Sequence, residues 1–289
     1  MKILVTGGNG RLGSALVREL SSTHEVIALH GNNSEGGVFV DITRWDEVRN
    51  AITHFAPQLV IHTAAWTDVD SCARDPQRAI LVNGLGTHYL AAATGANHIP
   101  MIYISSNEVF DGKGNTPYSE YHPTQPANPY GYSKWVGELA LMRHNSQFTI
   151  VRTAWLFAHG GKNFVQTILN AARAGRELRV TCDEIGNPTY NDDLAQAIVA
   201  LVERGCPGIY HLTNSGTASR YDFARTILDT VGLTDMPIQR ISLKEWNRPS
   251  NPPPYAPLAN QAAATLGISL RSWQEAVSDF LVKEQQKHG

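Results

Sequence analysis

Cysteine is scarce in this chain. Cys72, Cys182 and Cys206 are the whole complement in 289 residues, odd in number, widely spaced and without a C-x-x-C. That excludes a disulfide scaffold and points to a reduced, cytoplasmic setting. Long apolar runs are missing too, and none approaches the roughly 20 residues that span a bilayer. The opening "MKILVTGGNG" passes from a short apolar stretch straight into glycines, without the longer apolar region and cleavage site of a secretory signal. Neither sign of charge dominates, with 24 Lys and Arg against 26 Asp and Glu. The basic face of an electrostatic nucleic-acid binder is therefore not expected. Eleven histidines form no H-E-x-x-H or Cys/His cluster, so no metal is expected. His62 and His211 read as structural or surface histidines.

What is present suits an enzyme-sized protein. The chain is 42% hydrophobic and 17% charged, and long enough for one large or two unequal domains. Apolar runs "KILVT" (2–6), "EVIAL" (25–29), "PQLVIHTAA" (57–65), "PMIYISS" (100–106) and "FTIVRTAW" (148–155) read as buried strands. Between them lie helical patterns, among them "DPQRAILVNGLGTHYLAAAT" (75–94), taken as one long helix, and "NPYGYSKWVGELALMRH" (128–144). Such alternation predicts a doubly wound, Rossmann-type α/β fold with a parallel sheet covered on both faces. After about residue 155 the pattern loosens into strand-like "ELRVT" and "GIYHLT", helices, and a proline-rich "NRPSNPPPYAPL". Residues 1–155 are expected to form a dinucleotide-binding domain. Residues 156–289 are expected to form mainly a smaller mixed α/β substrate lobe, with segments returning to the first domain left open. The proline-rich stretch is expected to line a cleft.

"TGGNGRLG" sets Gly7, Gly10 and Gly13 at three-residue spacing between the first strand and the first helix. Glycines there permit a tight turn and a close approach to a pyrophosphate, which the helix N-terminus attracts. The acid that would hold an NAD ribose belongs at the end of the second strand. The chain reads "ALHGNN" there, with His30 and no carboxylate before Glu35. NADP(H) is favoured on that ground, with Arg11 as a candidate for its 2′-phosphate and NAD(H) left open.

In "YGYSK" (130–134), Tyr130 and Lys134 share a helix face while Tyr132 points elsewhere. Reducing a keto group requires a proton at the carbonyl oxygen as negative charge develops there. Tyr130 is the candidate donor, and the Lys134 ammonium is expected to lower its pKa and to hold the cofactor ribose. Ser106, ending a strand, is expected to hydrogen-bond the same oxygen.

Together the glycine turn, the strand-ending serines, Tyr130-x-x-x-Lys134 and Asn83 in "NGLGT" resemble the extended short-chain dehydrogenase/reductase family. "HTAAWTDVDSCARDP", "VFDGKGNTPYSE", "RTAWLFA", "GKNFVQTIL" and "GNPTYNDDLA" narrow the resemblance to its nucleotide-sugar ketoreductases. It implies NAD(P)H-dependent reduction of a nucleotide-linked 4-keto-6-deoxy sugar, first among them dTDP-4-dehydrorhamnose to dTDP-L-rhamnose. It implies catalytic roles for Ser106, Tyr130 and Lys134. A cofactor shell of Gly7, Gly10, Arg11, Leu12, His30, Asp41, Ile42, Ala64, Ala65, Thr67, Asn83, Tyr130 and Lys134 follows from it, and so does a sugar site with Ser106, Asn107, Glu108 and Trp155.

The chain departs from that family at three places. Asn107 and Glu108 replace an aspartate and a tyrosine, Pro252-Pro253 stands where an Arg-Pro often binds diphosphate, and Ala15 replaces a metal-bridging glutamate. A monomer or a metal-free homodimer is expected. A non-catalytic regulatory subunit, like the beta subunit of methionine adenosyltransferase, and a related epimerase are the alternatives.

Overall fold

Strands β1 (Lys2–Thr6), β2 (Glu25–His30), β4 (Leu59–His62), β5 (Met101–Ser106) and β6 (Phe148–Thr153) carry the apolar runs seen in the sequence, and the exposed two-residue strand β3 (Val38–Phe39), which no such run marks, follows β2. The computed structural model describes residues 1–31, 37–161 and 163–288. Among them, these six strands and Gly208–His211 form one sheet, ordered Gly208–His211, β6, β5, β4, β1, β2, β3. Every pairing in it is parallel. This is the Rossmann-type doubly wound arrangement expected from the alternation of elements. Parallel strands place all their C-terminal ends at one edge. Because β1 has β2 on one side and β4 on the other, the crossovers diverge there and leave a crevice at that edge.

Two helical layers cover the sheet. Helix α1 (Arg11–Leu20) buries Leu12, Leu16 and Leu20, one stripe at four-residue spacing. It packs with Leu194, Ile198 and Leu201 of the helix Asn191–Arg204 in one core. On the other face, α2 (Trp45–Phe55), α5 (Gly86–Ala96) and α6 (Pro129–His144) enclose a core that includes Leu4, Val60, Met101 and Tyr103. Two short helices, α3 (Val69–Arg74) and α4 (Pro76–Ala79), are capped by Asp68 and Asp75, which accept from the Ser71 and Arg78 amides.

The helix expected over 75–94 contains a wide π turn at Ile80–Leu85 before α5. The extra residue of such a turn rotates Asn83 inward. There its Oδ1 accepts from the Trp66 amide at 2.7 Å and its Nδ2 donates to the Trp66 carbonyl at 3.0 Å. Tertiary hydrogen bonding outweighs the local 3.6-residue period.

"GIYHLT", grouped by sequence with the smaller lobe, instead supplies a strand of the large sheet, paired parallel with β6. Pairing there covers a strand edge that would otherwise be exposed. The helix Asn191–Arg204 likewise packs under the first sheet. The other core beyond residue 155 gathers Phe157, Tyr190, Phe223, Trp273 and Phe280. Around it stand the helices Phe164–Arg173, Arg220–Thr230 and Trp273–His288 and the parallel pair Leu178–Thr181 and Ile238–Ile241. Ser219 and Asp222 form a reciprocal capping box at the start of Arg220–Thr230.

A buried ion pair fixes α6 to the sheet. Arg152 donates to both Glu138 carboxylate oxygens, at 2.9 and 2.7 Å, with the two side chains 3% and 1% exposed. Removing one partner strands a buried charge, which costs about 3–5 kcal/mol. Glu138→Ala is expected to lower unfolding free energy by about that amount in a urea titration, with the midpoint shifted and the slope unchanged.

Candidate active site

The glycine turn lies between β1 and α1, at the point where the sheet order reverses. Gly7 sits at φ +67°, and a Cβ there would stand 2.8 Å from the Ala64 amide nitrogen. Only glycine takes this conformation without strain while letting the turn lie against the end of β4. Next to it a cavity of about 440 Å³ opens among Thr6, Gly7, His30, Asp41, Ile42 and Ala64. Ala65 and Val82 also line it. The cleft runs from the first turn past the β2 end, with no side chain on Gly7 to fill it. Its place, beside the glycine turn at the switch point of the sheet, is where such folds take a dinucleotide.

Other residues of the inferred cofactor shell are placed differently. Leu12 is buried in the core beneath the turn, and Thr67 is exposed outside this cavity. Asn83 is wholly buried, with its amide spent on Trp66 and on the Ser133 hydroxyl at 2.9 Å. It holds the loop after β4 rather than lining the cavity. Arg11 lines a separate, larger cavity between α1 and Asn191–Arg204, and its guanidinium faces Gly161. Arg11 is not among the residues that line the cavity beside His30. Glu35 lies outside the described residues.

The candidate catalytic residues lie around the C-terminal end of β5. Asn128 caps α6, its Oδ1 accepting from the Gly131 amide at 2.8 Å, and Pro129 takes the first helical position. A Cβ on Gly131 would collide with the Glu108 carbonyl oxygen, so this glycine lets the helix start press against the strand end. Tyr130 thereby comes beside Ser106, the last residue of β5. The Ser106 hydroxyl accepts from the Glu108 amide at 3.2 Å and stands close enough to Tyr130 to lower its pKa. Lys134 is 3% exposed, with its Nζ 4.2 Å from the centroid of the Tyr103 ring. Tyr103 stacks in turn on His62, which bonds the Thr6 and Thr87 hydroxyls at 2.7 and 3.0 Å. Tyr132 is 45% exposed on the outer face, packed against Trp135. Beside Ser106 in the sheet, the buried Thr153 Oγ1 has no protein partner.

Charge in this pocket is set mostly by burial. The expectation that Lys134 lowers the Tyr130 pKa is not met. Loss of water around the phenolate, with Glu108 nearby, pushes that pKa well above the usual tyrosine range, against a lowering by Ser106. The phenol therefore keeps its proton. Burial likewise pulls Lys134 down to about 7, with Glu138 and Cys72 opposing. Desolvation and the Lys134 charge bring His62 to about 3, which leaves it a neutral structural imidazole.

The sugar-side candidates divide. Asn107 is buried and donates to the Ala256 carbonyl at 3.1 Å, pinning the proline-rich segment to the strand end. Glu108 accepts from Asn128 Nδ2 at 2.6 Å. Burial raises the Glu108 carboxyl to about 7, against the Asn128 bond, while Glu184 adds to the rise and Arg248 and Arg220 oppose it. Trp155, at φ +44°, lies under the Arg220 guanidinium at 3.6 Å. Arg220 is paired with Glu184 at 3.0 Å and Arg248 with Asp70 at 2.9 Å.

Sequence reasoning missed Arg220, Glu184 and Asn128. The N-cap pattern "NPYG" was there to be read for Asn128, whereas no local signal links Glu184 to Arg220 across 36 residues. Among the described residues no group of three or more His, Cys, Asp or Glu is set to hold a metal ion, and no helix is long and apolar enough to cross a membrane.

This fold and this set of motifs are those of an extended short-chain dehydrogenase/reductase. Within that class the chain belongs to the family described as the RmlD substrate binding domain, whose model matches residues 1–286. It is 39% identical to the spore coat polysaccharide biosynthesis protein SpsK of Bacillus subtilis, over 97% of this chain and 96% of that one. It is 35% identical to a dTDP-4-dehydrorhamnose reductase of Mycolicibacterium smegmatis, over 96% and 84%. Among solved structures, a dTDP-4-dehydrorhamnose reductase of Clostridium acetobutylicum superposes with a TM-score of 0.92 at 33% identity, covering 99% of this chain and 100% of that one. One from Bacillus anthracis, in complex with NADP, also gives 0.92, at 30% identity and 98% and 99% coverage.

Gly131→Ala tests the helix-to-strand approach. The added methyl is expected to push α6 back and lower kcat on the order of 100-fold, with far-UV circular dichroism retained. Unchanged kcat would show that this approach does not position Tyr130.

Proposed function

We propose that the protein reduces a nucleotide-linked 4-keto-6-deoxy sugar with NADPH, dTDP-4-dehydrorhamnose to dTDP-L-rhamnose being the reaction its relatives favour. The observation that supports this reading is the nearness of Tyr130 to Ser106 at the end of β5, with Lys134 one turn further along α6, at the same edge of the sheet as the glycine turn and its cavity. In it, Gly7, Gly10, His30, Asp41, Ile42, Ala64 and Ala65 hold the cofactor, which when bound supplies the reducing equivalent. Asn83 acts through the loop it clamps. NADP(H) is preferred because the β2 end offers His30 rather than an acid, and the Bacillus anthracis relative is described with NADP.

Tyr130 gives its proton to the carbonyl oxygen as charge builds there. Ser106 donates a hydrogen bond to the same oxygen, and the Lys134 ammonium offsets the tyrosinate left behind. The closely packed α6 and β5 keep these groups aligned and exclude water. Trp155, packed against Gly186, holds Arg220 on its ring, and Arg220 and Arg248 attract the diphosphate. Residues 156–289 supply most of this substrate wall, apart from the pieces that complete the large sheet. The protein acts in the cytoplasm as a monomer or metal-free homodimer, since Ala15 cannot ligate a bridging ion.

NADPH oxidation with dTDP-4-dehydrorhamnose, run beside NADH, tests the reaction. Tyr130→Phe is expected to retain cofactor binding and lose about 10²–10⁴-fold in kcat. Full activity in that variant would remove Tyr130 from the role. Cofactor binding without turnover of any keto sugar would favour the regulatory alternative.

The pH dependence has a definite sign. Lys134 assists only while charged, and it loses its proton as pH rises through about 7. Glu108 gains a negative charge beside Tyr130 over the same range. Both changes work against the developing tyrosinate, so kcat/KM is expected to fall as pH rises through about 7. A rising profile would contradict this assignment.

A further inference from the structure

Glu108 occupies a junction that the reduction step alone does not explain. Its carbonyl abuts Gly131 and its carboxylate is held by Asn128, the cap two residues ahead of Tyr130. Asn128 Nδ2 also donates to the Asn251 carbonyl at 3.2 Å, which joins the helix cap to the segment that carries Arg248. The charged and titratable groups acting on Glu108 come from several elements. Tyr130 lies on α6, Glu184 and Arg220 on the far wall, and Arg248 on the proline-rich segment, while Cys72 of α3 senses the Glu108 charge. Arg220 and Arg248 keep 22% and 25% side-chain exposure, so an anion can reach them.

We propose that Glu108 is a positioning residue that couples binding of an anionic nucleotide sugar to the acidity of Tyr130, by taking up a proton when the diphosphate neutralises Arg220 and Arg248. The proposal rests on the nucleotide-sugar reading above. The physical chain is short. In the free protein the two guanidiniums favour the ionised carboxyl, which sits near its midpoint at neutral pH. A diphosphate on those guanidiniums cancels their field, and the carboxyl takes a proton from solvent. A neutral Glu108 no longer opposes negative charge on Tyr130, so the phenol becomes the better donor only once substrate is in place. A tyrosine at this position, as in the resembled family, would not titrate in this range.

The test is proton uptake on binding, measured by isothermal titration calorimetry in buffers of different ionisation enthalpy. The probe is dTDP-glucose, which has no keto group to reduce and no phosphate that titrates near neutrality. The wild-type protein is expected to take up a measurable fraction of a proton per ligand at pH 7, with about half a proton as the ceiling for a group near its midpoint, and less at pH 5.5 or pH 9. Glu108→Gln keeps a hydrogen-bond acceptor for Asn128 and is expected to bind with no uptake. Arg248→Met removes part of the field in advance and is expected to show less uptake than wild type. Uptake that persists in Glu108→Gln and vanishes in Lys134→Met would assign the proton to Lys134 and overturn the coupling alone. Failure of dTDP-glucose to bind the wild-type protein would overturn the nucleotide-sugar reading, and the coupling with it.

Discussion

The site depends on one close approach, that of the first turn of α6 to the end of β5. Gly131 makes it sterically possible, Asn128 fastens it from the helix side, and the 3₁₀ turn Asn107–Val109 receives it from the strand side. Without that contact, Tyr130 and Ser106 would sit on separate elements with no shared oxygen to serve. The buried Glu138–Arg152 pair holds the same helix two turns further on, so α6 is fastened at both its reactive end and its middle.

Burying this contact also decides the electrostatics. A half-buried phenol and a buried ammonium both favour their neutral forms. For Tyr130 that ensures a proton to give, and for Lys134 it means a charge held only marginally at neutral pH. The Tyr103–His62 stack beneath Lys134 supplies an aromatic face for the ammonium without adding a competing positive charge. The pocket is therefore arranged around a proton that is present but reluctant to leave, and neighbouring charge controls how reluctant.

The sheet was legible because each strand is apolar throughout and each is followed by a helix-period segment or a glycine turn. The spacing of Tyr130 and Lys134 showed their common face for the same local reason. What stayed hidden depends on contacts distant in sequence. The π turn at Ile80–Leu85 answers to Asn83 bonding Trp66, 17 residues away. The return of Gly208–His211 to the large sheet reflects the open edge of β6, and no periodicity within "GIYHLT" encodes it. The sign of the Tyr130 shift was misjudged because i to i+4 proximity to a lysine is visible in sequence, whereas the depth of burial and the nearby Glu108 are not. Arg11 was read from its place in the turn, yet a long side chain can leave on either side of a helix, and here it turns toward Gly161.

The measurement that bears most directly on the site is a crystal structure of the protein with NADP⁺ and dTDP-L-rhamnose. The expected result places the sugar O4 within hydrogen-bond reach, about 2.6–3.2 Å, of both the Tyr130 and Ser106 hydroxyls, with the diphosphate against Arg220 and Arg248. A sugar bound elsewhere, or an O4 facing away from Tyr130, would contradict the assignment.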